Sequence, residues 1–392
     1  MPGTRAVRWG VPIATVAVVG AAAGAGPVLA AVRGEPALPA RTAQQLLAEA
    51  ARAADRTEPP VMSGTVVETA ALGLPSLPLP SSGGGSSPLS LLSGSNTLKV
   101  WYGGNGKARL ALPGPLSETD LITDGSGAAW LWESDKNTAT RITMPRGTGP
   151  GARPQGTALP GATTPDALAA QVLKAAEAGT TVGVSDNERI AGRAAYQLTL
   201  TPKDTASLVD RVTVALDGRT YLPLRVQVFA RGGAEPAFEV GFTQVTFSPP
   251  AAENFAFTPP AGATVTEKKL DDVRPGTPEK LADHAGRLRT FGEGWSTVAE
   301  MPFSTADLSA LAGGKDGGKD GAKEEDGPAG DRAGGPAELA GALLSSAQRV
   351  SGPWGGGRLV TTKLVSALLT DDGRLLVGAV TPQRLTEVAG RG

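Results

Sequence analysis

The run DLITDGSGAAWLWESDKNTATRITM, Asp120 to Met144, packs two tight turns and three strand-length segments into one short stretch. Asp124-Gly125 tolerates positive φ, so the apolar runs on either side read as the arms of a hairpin. Ser134-Asp135-Lys136-Asn137 is a second turn, followed by a Thr-rich strand. Trp130 and Trp132 stand two apart, and on a strand they project from the same face. Two indoles on one face belong either to a thick core or to the wall of an apolar cavity.

Strand signals continue on both sides of this stretch. Upstream they are Thr97–Tyr102, Lys107–Leu112 and Leu116–Thr123, with Gly103-Gly104-Asn105-Gly106 as a strong hairpin turn. Trp101 and Tyr102 take opposite faces of one strand, so at most one of them looks inward. Downstream, a Pro/Gly/Arg linker (145–163) and a helix starting at Thr164-Pro165-Asp166 interrupt the ladder. It resumes with Thr181–Ser185, Arg189–Thr199, Leu208–Leu216, Leu222–Ala230 and Ala237–Phe247. Alternation is clear there. Tyr196 and Leu198 share a face, as do Val212 and Val214, Leu224 and Val226, and then Phe238, Val240 and Phe242. Arg211, Thr213, Arg225 and Gln227 fill the other side. One apolar and one polar face per strand is the pattern of an antiparallel sheet wrapped around something. The expected fold is α+β, mostly β: a strongly curved antiparallel sheet, an open, unclosed β-barrel, with helices on the concave side or at the mouth. A plain two-sheet sandwich is the alternative. If the sheet encloses a cavity, its candidate lining is Trp130, Trp132 and Leu110 together with those alternating residues from Tyr196 to Phe242.

Ahead of the ladder, Thr42 with Gln45 three residues later forms a capping box for a helix whose apolar stripe is Leu46, Leu47 and Ala50. Val61–Thr69 is β-like. From Ala71 to Gly94 comes ALGLPSLPLPSSGGGSSPLSLLSG, a loop rich in leucine and in helix and strand breakers. Connections are normally polar, so these leucines dock on something apolar, either as a loop covering the core or as a lid over a hydrophobic mouth.

The order "apolar pair, Thr-Asp-Gly, short gap, Trp-x-aromatic, polar turn, Thr-rich strand" resembles the LolA/LolB lipoprotein-carrier family. The exit strengthens the likeness: GFTQVTF (241–247) and NFAFTPPAGATV (254–265) look like the closing strands of LolA-like domains. The resemblance covers residues 41–266. It implies an open β-barrel that shields lipid or lipoprotein acyl chains from water. Burial of each methylene contributes about 0.8 kcal/mol, so no ionic contact is needed to hold such a chain. Carriers of this family use an early-strand arginine to hold the lid. Arg109 is the only arginine on the first strands here, but the motif around it does not match and that role is not carried over.

The ends of the chain set compartment and domain plan. Arg5 and Arg8 precede an uncharged run from Trp9 to Val32 that Arg33 ends. Residues 1–33 therefore read as a signal peptide, with Val28-Leu29-Ala30 as cleavage site, or as an uncleaved membrane anchor. Either way the rest is exported: secreted, or anchored outside the cytoplasmic membrane. The chain has no cysteine, hence no lipobox and no disulfide framework. Residues 267–291 read as a charged linker, and 292–392 as a small C-terminal β/α unit. Within it, 313–335 is Gly, Lys, Asp and Glu almost without apolar side chains and should be disordered. Ala337–Val350 reads as a helix, Leu359–Leu369 and Arg374–Thr381 as a hairpin, and Pro382–Ala389 as a terminal helix. This unit distantly resembles the second domain of RseB/MucB-type regulators, which implies contact with a membrane-bound anti-sigma factor.

Chemistry is sparse. The only histidine is His284, in the charged segment, and no nucleophile elbow, P-loop, dinucleotide fingerprint or zinc motif occurs. A net charge of -1 with scattered Lys and Arg gives no nucleic-acid signal. The expectation is a monomeric, non-catalytic protein with no cofactor or metal. Two functions compete: a carrier or chaperone for acyl chains, and an extracytoplasmic regulator that senses an acylated ligand and binds a membrane-bound regulatory protein.

Overall fold

Tight turns set the pairing of most strands in this protein. The computed structural model describes residues 36, 38–54, 60–73, 93–143, 164–165, 179–269, 288–303 and 345–391. Several expectations lie outside them: the leader 1–33, most of the Leu-rich loop (74–92), the linker 145–163, the helix 166–178 and the segment 313–335.

Twelve strands build one sheet: β1 (Met62–Ala71), β2 (Ser93–Gly104), β3 (Lys107–Pro113), β4 (Glu118–Asp124), β5 (Ala128–Glu133), β6 (Thr138–Thr143), β7 (Thr180–Ile190), β8 (Arg193–Pro202), β9 (Val209–Asp217), β10 (Pro223–Ala230), β11 (Pro236–Thr246) and β12 (Thr264–Lys269). The order is β12-β6-β5-β4-β3-β2-β1-β11-β10-β9-β8-β7, a curved sheet that does not close into a barrel. The mostly-β, open-sheet expectation is met. Asn105 and Gly106, at φ 53 and 73, make the β2–β3 turn, the geometry whose twist matches the flanking strands.

Three details differ from the reading of the sequence. The strand expected from Arg189 is two: β7 runs to Ile190 and turns at Ala191-Gly192, φ 49 and 77. A left-handed alanine costs about 1–2 kcal/mol, so alanine does not advertise a turn. Leu116, expected on a strand, is 96% exposed in the β3–β4 turn. The sheet is also not wholly antiparallel. After β11 the chain crosses the sheet in a 3-10 turn (Ala252–Phe255) packed on β2, β3 and β4. It then re-enters at the far edge, where β12 pairs parallel with β6 from Thr264↔Thr138 to Lys269↔Thr143. Strand β12 therefore takes in the first residues expected in the charged linker.

Helix α1 (Ala43–Ala54) lies against the inner face. Its capping box is formed: Thr42 N donates to Gln45 Oε1 at 3.0 Å, and Gln45 N to Thr42 Oγ1 at 3.2 Å. Leu46 and Ala50 are buried in the main core.

The second sheet has six strands, β13 (Arg289–Phe291), β14 (Val298–Pro302), β15 (Gln348–Gly352), β16 (Gly355–Thr361), β17 (Ser366–Thr370) and β18 (Arg374–Gly378), ordered β13-β14-β18-β17-β16-β15. Helix α2 (Pro382–Ala389) closes its core through Leu385 and Val388, packed with Val298, Leu368 and Leu376. Leu359–Leu369 is thus two strands, because Thr362 Oγ1 accepts from Leu364 N and Val365 N and turns the chain. Residues 348–350, expected in a helix, belong to β15. The two sheets meet at an isolated Ser207↔Val380 bridge, flanked by Leu208 N to Ala379 O and Thr381 N to Ala206 O, both 2.8 Å. Trp295 Nε1 donates to Thr180 Oγ1 at 2.7 Å, and Leu364 enters the core of the large sheet.

Candidate ligand-binding face

Residues directly opposite in a sheet share a face, so register sorts the side chains. Leu131 faces Leu121, Leu121 faces Leu110, and Leu110 faces Val100. Val66 faces Leu98 and Phe242. The row continues through Val240, Val226, Val214 and Leu198. This is the inner face, and the main core occupies it. Leu198, Val212, Val214, Leu224, Val226 and Val240 are fully buried there, with Tyr196 and Phe242 nearly so. Six of the expected lining residues are therefore inaccessible packing beneath α1 and its surroundings. Leu110 and Phe238 are half-buried, together with Leu121, Leu131 and Val228, which were not among the candidate lining residues although alternation sets Val228 on the same face as Leu224 and Val226. Those five carry apolar surface that still reaches solvent, as do Val182 and Val184 at the β7 edge, opposite Leu200 and Leu198. Glu68 was also missed. At 1% exposure it sits in the same row, opposite Val240. A charged residue at the inward position between Val66 and Ala70 was the available signal.

Trp130 and Trp132 share a face, as expected, but it is the other one. Trp130 lies opposite Ile122 and Arg141, and Trp132 opposite Asp120 and Ala139, on the outer side of the sheet. Phe257 covers both indoles, with ring centroids at 5.5 and 5.9 Å. Phe255, 4% exposed, fills the space over Gly103, where a Cβ would come within 2.7 Å of its ring. The Phe-x-Phe of the closing segment is a strap that covers the outer face. Trp130 and Trp132 thus do not join Leu110 in one lining. Of the pair Trp101 and Tyr102, Tyr102 packs on the inner core, and Trp101 lies outside under the Arg109 guanidinium, 5.3 Å from the ring centre.

Charge is confined largely to the outer face. Arg109 grips Asp120 with both Nε and Nη2, at 3.0 and 2.9 Å, and reaches Glu118 at 3.2 Å. Burial of Asp120 dominates all the same and pushes its carboxyl up to about 6, against the pull of Arg109. Arg109 is therefore a structural partner on the outside and faces no inner cavity. Further along, Arg193 pairs with Asp217, and Gln227 bridges Thr213 and Glu239. Burial would raise Asp217, but Arg193 and the Thr220 and Arg219 donors outweigh it and hold the carboxyl below the usual range. Among the described residues, no group of three His, Asp or Glu side chains could hold a metal ion, and no helix is long and apolar enough to cross a membrane. His284 lies outside them.

Neither a protein-family model nor a curated protein sequence matches the chain. Among solved structures it is similar to MucB, at 17% identity over 88% of this chain and 96% of that one, with a TM-score of 0.38. It is similar also to MucB of Pseudomonas aeruginosa solved with MucA: 16% identity, 88% and 96% coverage, TM-score 0.39. A LolA-superfamily protein of Nitrosomonas europaea matches 56% of this chain and 99% of its own at 13% identity, TM-score 0.21. These are the two groups that the sequence resembles.

Proposed function

We propose that this is an exported, non-catalytic protein that binds the acyl chains of a lipid or lipoprotein on the inner face of its large sheet. The observation that carries this reading is the apolar row across the strands, interrupted at Glu68 and still partly open at Leu110, Leu121, Leu131, Val228 and Phe238. Water gains nothing by wetting that surface, and an aliphatic chain lying on it removes apolar area from solvent. Apart from the buried Glu68, most charged groups of the sheet are drawn into outer-face pairs, so the inner face offers an acyl chain few competing hydrogen bonds. Such binding is non-directional and would discriminate by length and shape more than by headgroup.

The test uses the full chain and cis-parinaric acid, a fluorescent fatty acid. Leu121→Glu and Leu131→Glu place a charge where the chain would lie, and each should weaken binding at least about tenfold, the equivalent of about 1.4 kcal/mol. Trp130→Phe, on the outer face, should leave it unchanged. Equal affinity in all four proteins would overturn the reading. Native mass spectrometry of the purified protein would identify any lipid it carries.

A second reading rests on the six-stranded unit. It has its own core and meets the large sheet through the Ser207↔Val380 bridge, the Trp295–Thr180 hydrogen bond and Leu364, which enters the large-sheet core. In that reading the large sheet senses an acylated ligand and the small unit binds a membrane-bound regulatory protein. A chain truncated after Lys269 that keeps fatty-acid binding but no longer captures a membrane partner would favour it.

A further inference from the structure

Strand β7 is an edge of the large sheet, and its first half carries none of the usual protection of an edge. The other three edge strands are charged: Glu267, Lys268 and Lys269 stand on β12, Arg289 on the three-residue β13, and Arg349 on β15. Such charges keep an open edge from pairing with another chain. From Thr180 to Ser185, β7 reads TTVGVS, without a charge or a proline, and its bulge comes only after Ser185. Thr181, Gly183, Val184 and Ser185 are exposed, Val184 at 42%. A Cβ on Gly183 would meet nothing within 4 Å, so the outer side of the strand is open there.

Backbone groups alternate in direction along this edge. The Gly179 carbonyl accepts from Lys203 N, just past the end of β8, at 2.8 Å, so it points toward β8. Successive residues of a strand turn their N–H and C=O to opposite sides. Those of Thr181 and Gly183 therefore point to β8, and those of Val182 and Val184 point away from the sheet. No described strand lies beyond them. The stretch also reads alike in both directions from Gly183: a valine on either side, then Thr181 and Ser185. A two-fold interface needs that self-complementarity, since it places one surface against its own copy.

We propose that two copies of this chain pair antiparallel through β7, about a two-fold axis at Gly183. Val182 of each copy then lies opposite Val184 of the partner subunit, and each such pair exchanges both of its outward backbone hydrogen bonds. Thr181 meets Ser185 of the partner subunit on the outer side. The axis stands perpendicular to the sheet, so the inner faces of both copies lie on the same side. Val182 and Val184 stand opposite Leu200 and Leu198 of the inner face, and the valines of both copies join the two apolar rows across the seam. A seam of such short strands is smaller than the roughly 1,200–2,000 Å² of a standard interface, so the dimer is weak and depends on concentration. The monomer expected from the sequence is then the dilute form. This inference does not depend on acyl binding, and its test reads pairing instead of fatty-acid affinity.

The chain has no cysteine, so single introduced thiols report the register. Gly183→Cys puts two thiols at the axis. Gly183 against its own copy is the closer, non-hydrogen-bonded kind of pair, with Cα atoms about 4.5 Å apart, within the roughly 4.4–6.8 Å that a disulfide spans. Ser185→Cys, on the same open edge, leaves its two thiols about 13 Å apart along the strands. Mild oxidation of the full chain should link Gly183→Cys into a disulfide dimer and leave Ser185→Cys monomeric. Adding Val184→Lys to Gly183→Cys gives the edge a charge and should reduce the linked dimer several-fold. Sedimentation velocity of the cysteine-free chain should show a dimer that grows with concentration and that Val184→Lys removes. Equal linkage at 183 and 185, no linkage at 183, linkage indifferent to Val184→Lys, or a monomer at every concentration would each overturn the proposal.

Discussion

Asp120→Asn should flatten the pH dependence of stability between about pH 7.5 and pH 5. In the native protein Asp120 is 3% exposed and its carboxyl is pushed up to about 6, from the usual 3.8. An acid raised in the fold binds its proton more tightly there than in the unfolded chain. Its contribution is fully present below the unfolded value and is lost as pH rises through about 6. The whole span corresponds to about 3 kcal/mol, of which about 1.4 kcal/mol is recovered on going from about pH 7.5 to about pH 5. The other shifted carboxylates, Asp124, Asp204, Asp217 and Asp372, are held low, so they lose their contributions only below the window. Urea unfolding of both proteins at the two pH values isolates the term. The native chain should gain about 1.4 kcal/mol more than Asp120→Asn on acidification. An equal change in the two proteins would refute the claim that desolvation outweighs the Arg109 pair at this site, and a native chain that loses stability relative to the variant would reverse its sign.

Three further outcomes follow from the packing. Leu198→Ala removes a fully buried side chain from the centre of the inner face and should cost about 2–5 kcal/mol in chemical denaturation. Phe257→Ala uncovers Trp130 and Trp132; tryptophan emission should move to the red and stability fall by about 0.5–1.5 kcal/mol beyond the lost area, whereas an unchanged spectrum would place the indoles elsewhere. Thr42→Ala breaks the hydrogen bond from Gln45 N and should lower stability by about 1 kcal/mol, measurable as a shifted urea midpoint at unchanged slope.

Local signals in the sequence were read where the physics is local. The Asn105-Gly106 turn, the Thr42/Gln45 capping box and the Thr381-Pro382 start of α2 each depend on a few neighbouring residues, and each forms as expected. Alternation likewise placed Leu198 with Tyr196 and Val212 with Val214. What escaped depends on partners far along the chain. Nothing near Thr264 says that it will lie beside Thr138 in parallel, because the crossing segment decides the direction of entry. The Ala191-Gly192 turn escaped for another reason: alanine enters the left-handed region only because β7 and β8 hold it there.

The misplaced tryptophans follow from a general property of strands. A period of two says which residues share a face, and says nothing of which face is inside. In β4 and β5 both sides are apolar: Leu121 and Leu131 on one, Ile122, Trp130 and Trp132 on the other. A strand of that kind must be covered twice, so AAWLWE already required a second layer outside the sheet. The chain supplies it in Phe255 and Phe257, which sit in the same motif that carried the family likeness. The bulk of the indoles therefore measures the strap and not the cavity. The apolar inner face that still reaches solvent comprises the half-buried leucines of β3 to β5, Val228 and Phe238, and Val182 and Val184 at the β7 edge. A narrow aliphatic strip of this kind suits one or two extended acyl chains better than a bulky fused-ring lipid. Displacement of bound cis-parinaric acid should accordingly be stronger by a lysophospholipid than by a sterol of equal apolar area, and the reverse order would show that the strip opens into a wider chamber.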